Sequence, residues 1–312
     1  AIDKYQKVSI LKGDLTLDFF DAVIVKNKRE VSSVSSPISH DNYIRKIEEI
    51  QELIRSGEVY ELNYCVPYSH SFKAFQPILF HLDLLQKSPV PMGAYLRANQ
   101  LYLCGASMER FLMKRGDTLV SQPIKGTIKK GLTPEEDAVL IAQLKNSEKD
   151  RAENVMIVDL VRNDLNRVCK SGTVQVNELF GIYSYLQVHQ MISTVKGDVL
   201  PEVSISDILK ATFPMGSMTG APKIAAMKYI EGLENFKRGW YSGALGYLAP
   251  DGNFDFNVVI RSVLCDMETK VLNYNAGGAI TIDSIAEHEW MEVQLKTKAI
   301  TEVLKGGENK SN

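Results

Sequence analysis

The 312-residue sequence has only four cysteines, and they lie far apart, at Cys65, Cys104, Cys169 and Cys265. This spacing argues against a disulfide framework or a zinc site and is typical of reduced thiols in the cytosol. A net charge of −2 leaves no basic footprint for nucleic acid or an anionic membrane. No apolar run approaches the roughly 20 residues of a membrane span, and the first residues lack the apolar core of a signal peptide. These absences predict a soluble protein of the cytoplasm, without a nucleic-acid or membrane partner.

Helical and strand patterns are both present, and they occur in separate blocks. Isoleucines at helical spacing predict a helix over about 41–56, and a long final helix is predicted at about 284–304. Alternating apolar and polar residues at 93–124 and 238–282 predict antiparallel strands, with a hairpin turn at 251–252. Because strands and helices do not alternate one by one, the pattern favours an α+β fold with helices packed outside antiparallel sheets.

The composition divides the chain into three regions. A serine-rich stretch at 28–39 predicts a linker, so residues 1–40 are interpreted as a short N-terminal remnant and linker. Residues 41–305 are predicted to form the main domain, which contains all the strong helical and strand patterns. The polar residues 306–312 are predicted to be a disordered tail.

The final helix offers the first candidate metal ligands. Glu289 and Glu292 are three residues apart and therefore lie on one helical face, with Lys296 four residues further on. Two carboxylates at this spacing can share a hard cation such as Mg²⁺, which prefers oxygen ligands. A solvated face with a Glu–Lys pair explains the same spacing, and the pattern alone favours that simpler interpretation.

Two loops rich in small residues precede predicted helices. "GSMTGAPK" (216–223) leads to a helix with Pro222 in its first turn, and "AGGAITIDS" (276–284) leads to one that starts at Ser284. Small residues let backbone N–H groups approach an anion, and a helix N-terminus adds its positive end. A carboxylate or phosphate site is one hypothesis for either loop, and a structural turn is the other. The first loop is not a P-loop, which requires Gly-Lys where this chain has Ala-Pro.

Single polar residues in apolar surroundings give weaker hypotheses. Lys125 follows a strand-like run in "SQPIKGTIKKG", and a lysine becomes a nucleophile when burial or nearby cationic charge lowers its pKa. His189 lies in an alternating segment, where a satisfied core histidine is the commoner explanation. Glu153 lies on a predicted helix, where a surface charge is the simplest explanation. Taken together, the candidate residues predict a metal-dependent enzyme that acts on a small anion.

The order of the motifs is more specific than any one of them. From "RSGEVYELNYCVP" onward the chain resembles the chorismate-utilising enzymes, which include the anthranilate, aminodeoxychorismate, isochorismate and salicylate synthases. The matching motifs are "SMERFL" (107–112), "PIKGT" (123–127), "RAENVMIVDLVRNDLNRVC" (151–169), "VHQMISTVKG" (188–197), "FPMGSMTGAPK" (213–223), "GWYSGALGY" (239–247), "VVIRS" (258–262), "AGGAITIDS" (276–284) and "EHEWMEVQLKTKA" (287–299). The resemblance implies two packed antiparallel β-sheets with helices on the outside. It also implies that residues 41–305 are a chorismate-binding catalytic domain with its active site between the sheets.

The resemblance assigns roles to individual residues, matched motif by motif. It implies a Mg²⁺ site that holds a carboxylate of chorismate, formed by Glu153, Glu289 and Glu292. It implies a clamp for the substrate carboxylates, formed by Tyr241, Arg261, Lys296 and backbone groups near Gly277. The same pocket is lined by Gly126, Thr127 and Ser217. Two further catalytic residues are implied, His189 beside the ring and Glu109 as the general acid that helps the C4 hydroxyl leave.

The lysine of the "PIKGT" motif separates the branches of this family. Anthranilate synthases resemble one another in having alanine there, whereas aminodeoxychorismate synthases have lysine. In the latter, the lysine is proposed to attack C2 of chorismate, after which ammonia adds at C4 and expels it. The resemblance therefore implies an aminodeoxychorismate synthase component I of p-aminobenzoate and folate biosynthesis, with Lys125 as the nucleophile. Since no cysteine lies in a GxCxG motif, a glutamine amidotransferase partner is expected to supply ammonia.

The chain departs from the family pattern at several places. Glu61 stands where amino-transferring members usually have glutamine and water-adding members have lysine, and Met108 replaces a proline. Ala279 replaces the last glycine of an AGGG run, which costs about 1 kcal/mol if the backbone there has positive φ. Relatives carry a longer N-terminal segment, so a shortened N-terminus without tryptophan feedback is expected. The departures leave three alternatives open: an anthranilate synthase component I, an aminodeoxyisochorismate synthase, and a non-catalytic chorismate-binding homologue.

Overall fold

The computed structural model describes residues 29–32, 38–186 and 188–306. Its helices are α1 (His40–Arg55), α2 (Pro77–Lys87), α3 (Pro134–Asn146), α4 (Glu148–Asn166), α5 (Ile205–Thr212), α6 (Lys223–Leu233) and α7 (Ala286–Lys305). Its strands are β1 (Glu30–Val31), β2 (Glu61–Ala74), β3 (Met92–Ala98), β4 (Leu101–Ser107), β5 (Arg110–Arg115), β6 (Thr118–Gln122), β7 (Ile124–Lys129), β8 (Gln175–Ser184), β9 (Val188–Asp198), β10 (Gly220–Ala221), β11 (Ala244–Leu248), β12 (Phe254–Val258), β13 (Ser262–Asp266) and β14 (Val271–Ile280). A 3₁₀ turn, Gly216–Met218, precedes β10.

The first antiparallel sheet is built on the long strand β2. Its strand order is β1, β2, β14, β13, β4 and β3, and β10 pairs with the start of β2. The inward face of α1 carries Tyr43, Ile47 and Ile50, and α7 adds Val293 to the same core. Fully burying a side chain of this size contributes about 1.5–3 kcal/mol. The apolar spacing along α1 therefore decides which face of the helix turns towards the sheet.

The second antiparallel sheet has the strand order β11, β12, β5, β6, β9 and β7, and β8 pairs with β9. Its core contains the buried Leu119 and Phe254, together with Ile157 and Val158 from α4. The apolar side chains of α4 recur at helical spacing, so one side of this helix packs on the sheet while the other carries charged residues. The predicted α+β architecture of two antiparallel sheets is therefore confirmed.

The two sheets meet at the functional side chains. The chain passes from the first sheet to the second through the short connection between β4 and β5, which contains Met108 and Glu109. Lys125 of β7, in the second sheet, reaches Glu61 of β2, in the first. These contacts bring candidate residues of both sheets together, as the prediction of a site between the sheets requires.

The helix boundaries agree with the predictions except at two starts. α1 confirms the helix predicted over 41–56. α7 begins at Ala286 rather than at Ser284, because the Ser284 hydroxyl donates to Glu289 Oε1 at 2.8 Å and accepts from the Thr281 N–H at 3.1 Å. Pro222 occupies the N-cap position before α6 instead of the first turn. None of the helices in the described ranges combines the length and apolarity that a membrane span requires.

The predicted linker contains structure where it is described. β1 pairs with the end of β2, and the buried Arg29 donates from Nη1 to the carbonyl oxygen of Val303 at 2.7 Å. The linker interpretation is therefore wrong for residues 29–32, because backbone pairing and a buried guanidinium fix them to the first sheet. Residues 1–28, 33–37 and 307–312 lie outside the described residues, and the predictions for the N-terminal remnant and the tail fall largely on them.

Candidate active site

A β-bulge in β7 aims Lys125 into the space between the sheets. The pairing of β7 with β9 is regular except between Ile124 and Thr127, where the register shifts. Gly126 lies in this shift with a φ of 87°, and a Cβ there would come within 2.9 Å of the Asp150 carboxylate carbon. A bulge of this kind turns one side chain away from its regular direction. Lys125 is consequently buried, whereas Thr127, a predicted pocket residue, is exposed.

Lys125 is held as an ammonium by two carboxylates. Its Nζ donates to Glu61 Oε1 at 2.5 Å and lies 3.8 Å from Glu153 Oε2. Burial disfavours the charge, but Glu61 and Glu153 outweigh it, so the pKa of Lys125 lies above its ordinary value. The resting lysine is thus protonated, contrary to the lowered pKa that the sequence hypothesis requires of a nucleophile. The other oxygen of Glu61, Oε2, is buried and has no hydrogen-bond partner within the described residues.

Glu109 has the properties of a general acid. It lies on the connection between β4 and β5 with 6% of its surface exposed. Burial raises the pKa of Glu109 to about 7, although Ser217 and Lys125 act in the opposite direction. A group with a pKa near the working pH is the most effective proton donor. Ser217 lies close by, and its hydroxyl makes no well-formed hydrogen bond inside the described part of the chain.

Glu153 and Glu289 face each other across the ammonium of Lys149. Lys149 Nζ lies 3.3 Å from Glu289 Oε1 and 3.9 Å from Glu153 Oε1. Both carboxylates are buried, and burial raises the pKa of Glu153 to about 7 although Lys125 lowers it. Glu153 Oε1 has no hydrogen-bond partner among the described residues. Lys149 was missed by the sequence analysis, although its position four residues before Glu153 on one helix was a usable signal.

On α7, Glu292 forms an ion pair with Lys296, and this pair also connects the helix to β14. Glu292 Oε1 lies 2.6 Å from Lys296 Nζ, which also donates to the carbonyl oxygen of Gly277 at 2.7 Å. Desolvation disfavours the charge of Glu292, but Lys296 outweighs it and lowers the pKa of this carboxyl. The Glu–Lys pair that the simpler interpretation predicted is therefore present. It also ties α7 to β14, so that Glu289 and Glu292 face the same space.

The carboxylates of this space fit a magnesium ion as a donor set. As they stand, no three His, Cys, Asp or Glu side chains of residues 29–32, 38–186 and 188–306 are close enough to hold one ion. Nevertheless, Glu153, Glu289 and Glu292 supply the oxygen ligands that Mg²⁺ prefers. The unpartnered Oε1 of Glu153 and the cationic Lys149 beside it both indicate a place where positive charge is favoured. By residue type the donors fit Mg²⁺, but the described side chains do not converge on one point, so the magnesium site stays a prediction.

The glycines of "AGGAITIDS" lie in a strand, which corrects the interpretation of this loop as a helix N-terminus. Gly277 and Gly278 belong to β14 and pair with Cys65 and Tyr64 of β2. A Cβ on Gly277 would come within 2.2 Å of the Tyr64 carbonyl oxygen. A Cβ on Gly278 would lie 3.4 Å from Glu289 Oε2. The small residues therefore make room for neighbouring strands and for the carboxylates of α7.

Arg261, in the connection between β12 and β13, and Tyr241, in the turn before β11, approach the same space. Arg261 has a φ of 50°, a left-handed conformation that costs a non-glycine residue about 1–2 kcal/mol. Its Nη1 donates to the carbonyl oxygen of Lys296 at 3.0 Å, so the strained backbone points the guanidinium at α7. Burial raises the pKa of Tyr241, whose hydroxyl accepts a weak hydrogen bond from Cys65 Sγ at 3.7 Å. Strain of this kind is typical of functional sites.

His189 is buried and has partners of its own. Its Nε2 lies 2.8 Å from Asp137 Oδ1 and its Nδ1 lies 2.8 Å from Ser184 Oγ. Both ring nitrogens are thus engaged with α3 and β8, and their described contacts do not include the carboxylates around Lys125. The role beside the substrate ring stays a prediction. Asp137 was missed because its pairing with His189 joins residues far apart in the sequence.

The structure shows the surroundings of two residues that depart from the family pattern, Ala279 and Met108. Ala279 pairs with Asn63 in the regular register of β14 with β2, and it is not among the residues with positive φ. The strain that the sequence analysis considered for this alanine is therefore absent. Met108 Sδ accepts a hydrogen bond from the buried Gln190 side chain, which ties the connection between β4 and β5 to β9.

The sequence and the fold of the chain are similar to those of known proteins. A family model for chorismate binding enzymes matches residues 23–302. The chloroplastic aminodeoxychorismate synthase of Arabidopsis thaliana is 40% identical over 302 residues, which are 95% of this chain and 33% of that protein. Anthranilate synthase component 1 of Saccharolobus solfataricus is 38% identical over 271 residues, 87% of this chain and 64% of that protein. The crystal structure of anthranilate synthase component I from Streptococcus pneumoniae superposes with a TM-score of 0.81 at 30% identity, covering 95% of this chain and 64% of that one.

The chain covers only part of the length of these relatives. The chain spans a third of the Arabidopsis protein and slightly less than two thirds of the Saccharolobus protein. Relatives with two different names match it at nearly the same identity, so identity alone does not distinguish between their reactions. The family, however, is established by the match over most of the chain. The chain belongs to the chorismate binding enzymes.

Proposed function

We propose that this chain is the chorismate-aminating component of an aminodeoxychorismate synthase, which makes 4-amino-4-deoxychorismate for p-aminobenzoate and folate biosynthesis. The observation that carries the proposal is the position of Lys125. The β-bulge at Gly126 directs its side chain into the buried space beside Glu61, Glu153 and Glu109. A lysine in this motif is the feature that the resemblance associates with the amination of chorismate at C4. The similarity to the Arabidopsis enzyme supports the same reading.

The proposed reaction proceeds in two displacements. Lys125 releases to solvent the proton that it holds against Glu61 and attacks C2 of chorismate with its free amine, while Glu109 protonates the C4 hydroxyl, which departs as water. Ammonia then adds at C4, the bond between C2 and Lys125 breaks, and a proton from the incoming nitrogen returns to Glu109. Splitting one difficult displacement into two easier ones is the advantage of covalent catalysis. Glu109 suits its role because burial raises its pKa to about 7.

The remaining residues hold and orient the substrate dianion. Arg261, Lys296 and Tyr241 provide donors for the carboxylates, and this fixed geometry lowers the entropic cost of reaction. Bound by Glu153, Glu289 and Glu292, Mg²⁺ would supply a Lewis-acidic charge that neutralises a substrate carboxylate. The pocket is lined further by Gly126, Ser217 and backbone groups near Gly277, with His189 proposed beside the ring.

The source of ammonia is part of the proposal. None of the four cysteines lies in a GxCxG motif, so a glutaminase that serves this chain has to be encoded outside this sequence. We propose a glutamine amidotransferase as that partner and the cytoplasm as the location. Ammonium at high concentration is expected to replace the partner in vitro.

One observation favours a second candidate, an anthranilate synthase component I. The pKa of Lys125 is raised by Glu61 and Glu153, which suits a permanent counter-ion better than a nucleophile. In that case Lys125 would only balance the charge of the carboxylates, and ammonia would add to chorismate without a covalent step. The two candidates differ in their product, so a product assay separates them.

The deciding experiment incubates the purified protein with chorismate, Mg²⁺ and ammonium at mildly alkaline pH and analyses the products by liquid chromatography and mass spectrometry. We expect a product with the mass of aminodeoxychorismate that disappears when Mg²⁺ is chelated. Anthranilate as the product would establish the second candidate. No product, although chorismate binds, would identify a non-catalytic chorismate-binding homologue.

A further inference from the structure

We propose that Lys149 is a displaceable counter-cation of the metal site. Its ammonium neutralises Glu153 and Glu289 when no metal is bound, and it moves to solvent when a divalent cation binds the same carboxylates. The inference rests on the proposed function only in assuming a divalent metal at these glutamates, and no role in the reaction is required of Lys149.

The contacts place Lys149 where a metal ion would compete with it. Its Nζ lies 3.3 Å from Glu289 Oε1 and 3.9 Å from Glu153 Oε1, so it bridges two of the three proposed ligands. The carboxylates themselves are nine-tenths or more buried, with 10% and 3% of their side chains exposed. Glu153 Oε1 has no hydrogen-bond partner within the described residues, and the long distance to Lys149 leaves it free to bind a closer cation. An ammonium and a metal ion cannot occupy this space together.

The position of Lys149 in the fold allows it to leave. It is the second residue of α4, and 51% of its side chain is exposed. Ser147 caps the helix by accepting from the Asp150 N–H at 3.3 Å, so the backbone at Lys149 is fixed. A lysine side chain is a flexible stem with a strongly hydrated head. Rotation of this side chain alone therefore transfers the ammonium to water.

The other lysine beside Glu153 cannot leave in the same way. Lys125 has 9% of its side chain exposed and is bound by the buried Glu61. Removing its ammonium from Glu61 would leave a buried carboxylate without a partner, which is strongly unfavourable. Among the described residues, Lys125 and Lys149 bring an ammonium to Glu153, and that of Lys149 has a path to solvent and lies against carboxylates that the metal itself would neutralise. Metal binding is thus an exchange of one cation for another at Glu153 and Glu289.

The test measures metal affinity without substrate. Mg²⁺ is titrated by calorimetry, and Mn²⁺ by the electron paramagnetic resonance signal of the free ion, into the chorismate-free wild type and Lys149→Gln. Because a competitor that occupies a site nine-tenths of the time weakens apparent affinity by about tenfold, we expect binding up to about tenfold tighter in the variant. Without metal, Lys149→Gln should melt at a lower temperature than the wild type, since two buried carboxylates lose their counter-cation.

Lys145→Gln is the matched control. Lys145 is an exposed residue near the end of α3, four positions earlier, and its loss changes the net charge equally. We expect its metal affinity to equal that of the wild type, which shows that tightening depends on position rather than on total charge.

Unchanged or weaker metal binding by Lys149→Gln would overturn the inference, as would equal tightening by Lys145→Gln. A wild type that aminates chorismate with Mg²⁺, combined with unchanged affinity in Lys149→Gln, would refute this inference and leave the proposed function standing. A wild type that binds neither metal would refute the inference together with the proposed magnesium site.

Discussion

Lys125 and Lys149 both bring an ammonium to Glu153, yet the fold treats them differently. Lys125 enters from a strand, through a bulge, and is enclosed by the carboxylates of Glu61 on β2 and Glu153 on α4. Lys149 enters from the first turn of α4 and keeps half of its side chain in solvent. The same residue type thus becomes a fixed part of the buried site in one place and an exchangeable cation in the other. Burial and the distance to the nearest carboxylate, 2.5 Å for Lys125 and 3.3 Å for Lys149, decide between these roles.

The energetic scale of the two ion pairs differs accordingly. Breaking a buried ion pair by removing one partner costs about 3–5 kcal/mol, because the remaining charge is left uncompensated. A solvent-exposed pair contributes about 0–1 kcal/mol. The pair of Lys125 with Glu61 is a buried ion pair. The pairs of the half-exposed Lys149 are intermediate and closer to the solvent-exposed class. Substitutions at the two sites therefore test the comparison directly.

The largest effect is expected for Lys125→Gln. Loss of the proposed nucleophile should reduce aminodeoxychorismate formation on the order of a thousandfold or more. Steady-state kinetics with ammonium, read by mass spectrometry, provide the measurement, and Lys149→Gln assayed at saturating Mg²⁺ provides the comparison. Near-normal activity in Lys125→Gln would make Lys125 a counter-ion like Lys149.

The next effect is expected for Glu109→Gln, which removes the proton donor beside Lys125. Loss of a general acid reduces the rate by about a hundredfold to ten-thousandfold. The free amine of Lys125 increases with pH because the pKa of this lysine is raised, whereas burial raises the pKa of Glu109 to about 7. The wild-type rate should therefore rise with pH up to about 7 and level off above it, where loss of the Glu109 acid cancels the gain in free amine. In Glu109→Gln the rate should continue to rise through this range. A levelling that persists unchanged in the variant would assign it to another group.

A smaller effect is expected for Glu61→Gln, which removes a negative charge beside Lys125. Burial disfavours the ammonium of Lys125, and Glu61 is the main group that opposes this effect. Loss of the Glu61 charge lowers the pKa of Lys125, so the free amine forms at lower pH and the acid side of the pH–rate profile should shift downward. No shift, or a shift to higher pH, would show that Glu61 does not hold the proton on Lys125.

The smallest effect is expected for Ala279→Gly, away from both lysines. Because Ala279 lies in the regular register of β14 without positive φ, glycine relieves no strain there. Glycine in a strand interior should lower the free energy of unfolding by about 0.5–1 kcal/mol, which urea unfolding can measure. Activity should not increase. A clear gain in activity would mean that the alanine methyl group obstructs the substrate.

The sequence was sufficient to predict the architecture, because the spacing of apolar residues in helices and strands is visible within short stretches of the chain. The isoleucines of α1 and the alternation in 93–124 predicted elements that the structure confirms, and their block order predicted antiparallel sheets. The first strand was missed because Glu30–Val31 is too short to show alternation. The start of α7 was misplaced because the hydroxyl of Ser284, typical of an N-cap, is used by Glu289 and Thr281 instead.

The candidate site depended more on tertiary contacts than on local pattern. Glu61 of β2 and Lys125 of β7 lie in different sheets and are 64 positions apart in the sequence. Their hydrogen bond of 2.5 Å forms only where the two sheets come together, so no local pattern in the sequence predicted it. For the same reason the sequence suggested a lowered pKa for Lys125, whereas its two carboxylate partners raise it. For the glycines of β14 the sequence left an anion-binding loop and a structural turn as alternatives, since local composition does not distinguish close strand packing from close ligand approach.

The central claim is that Lys125 forms a covalent bond with chorismate, and intact-protein mass spectrometry tests it most directly. The protein is mixed with chorismate and Mg²⁺ in the absence of ammonia, quenched in acid, weighed and digested. The account predicts a mass gain of one chorismate less one water, located on the peptide that contains Lys125 and absent from Lys125→Gln. Continued conversion of chorismate to aminodeoxychorismate once ammonium is added, with no adduct at any time of quenching, would contradict it.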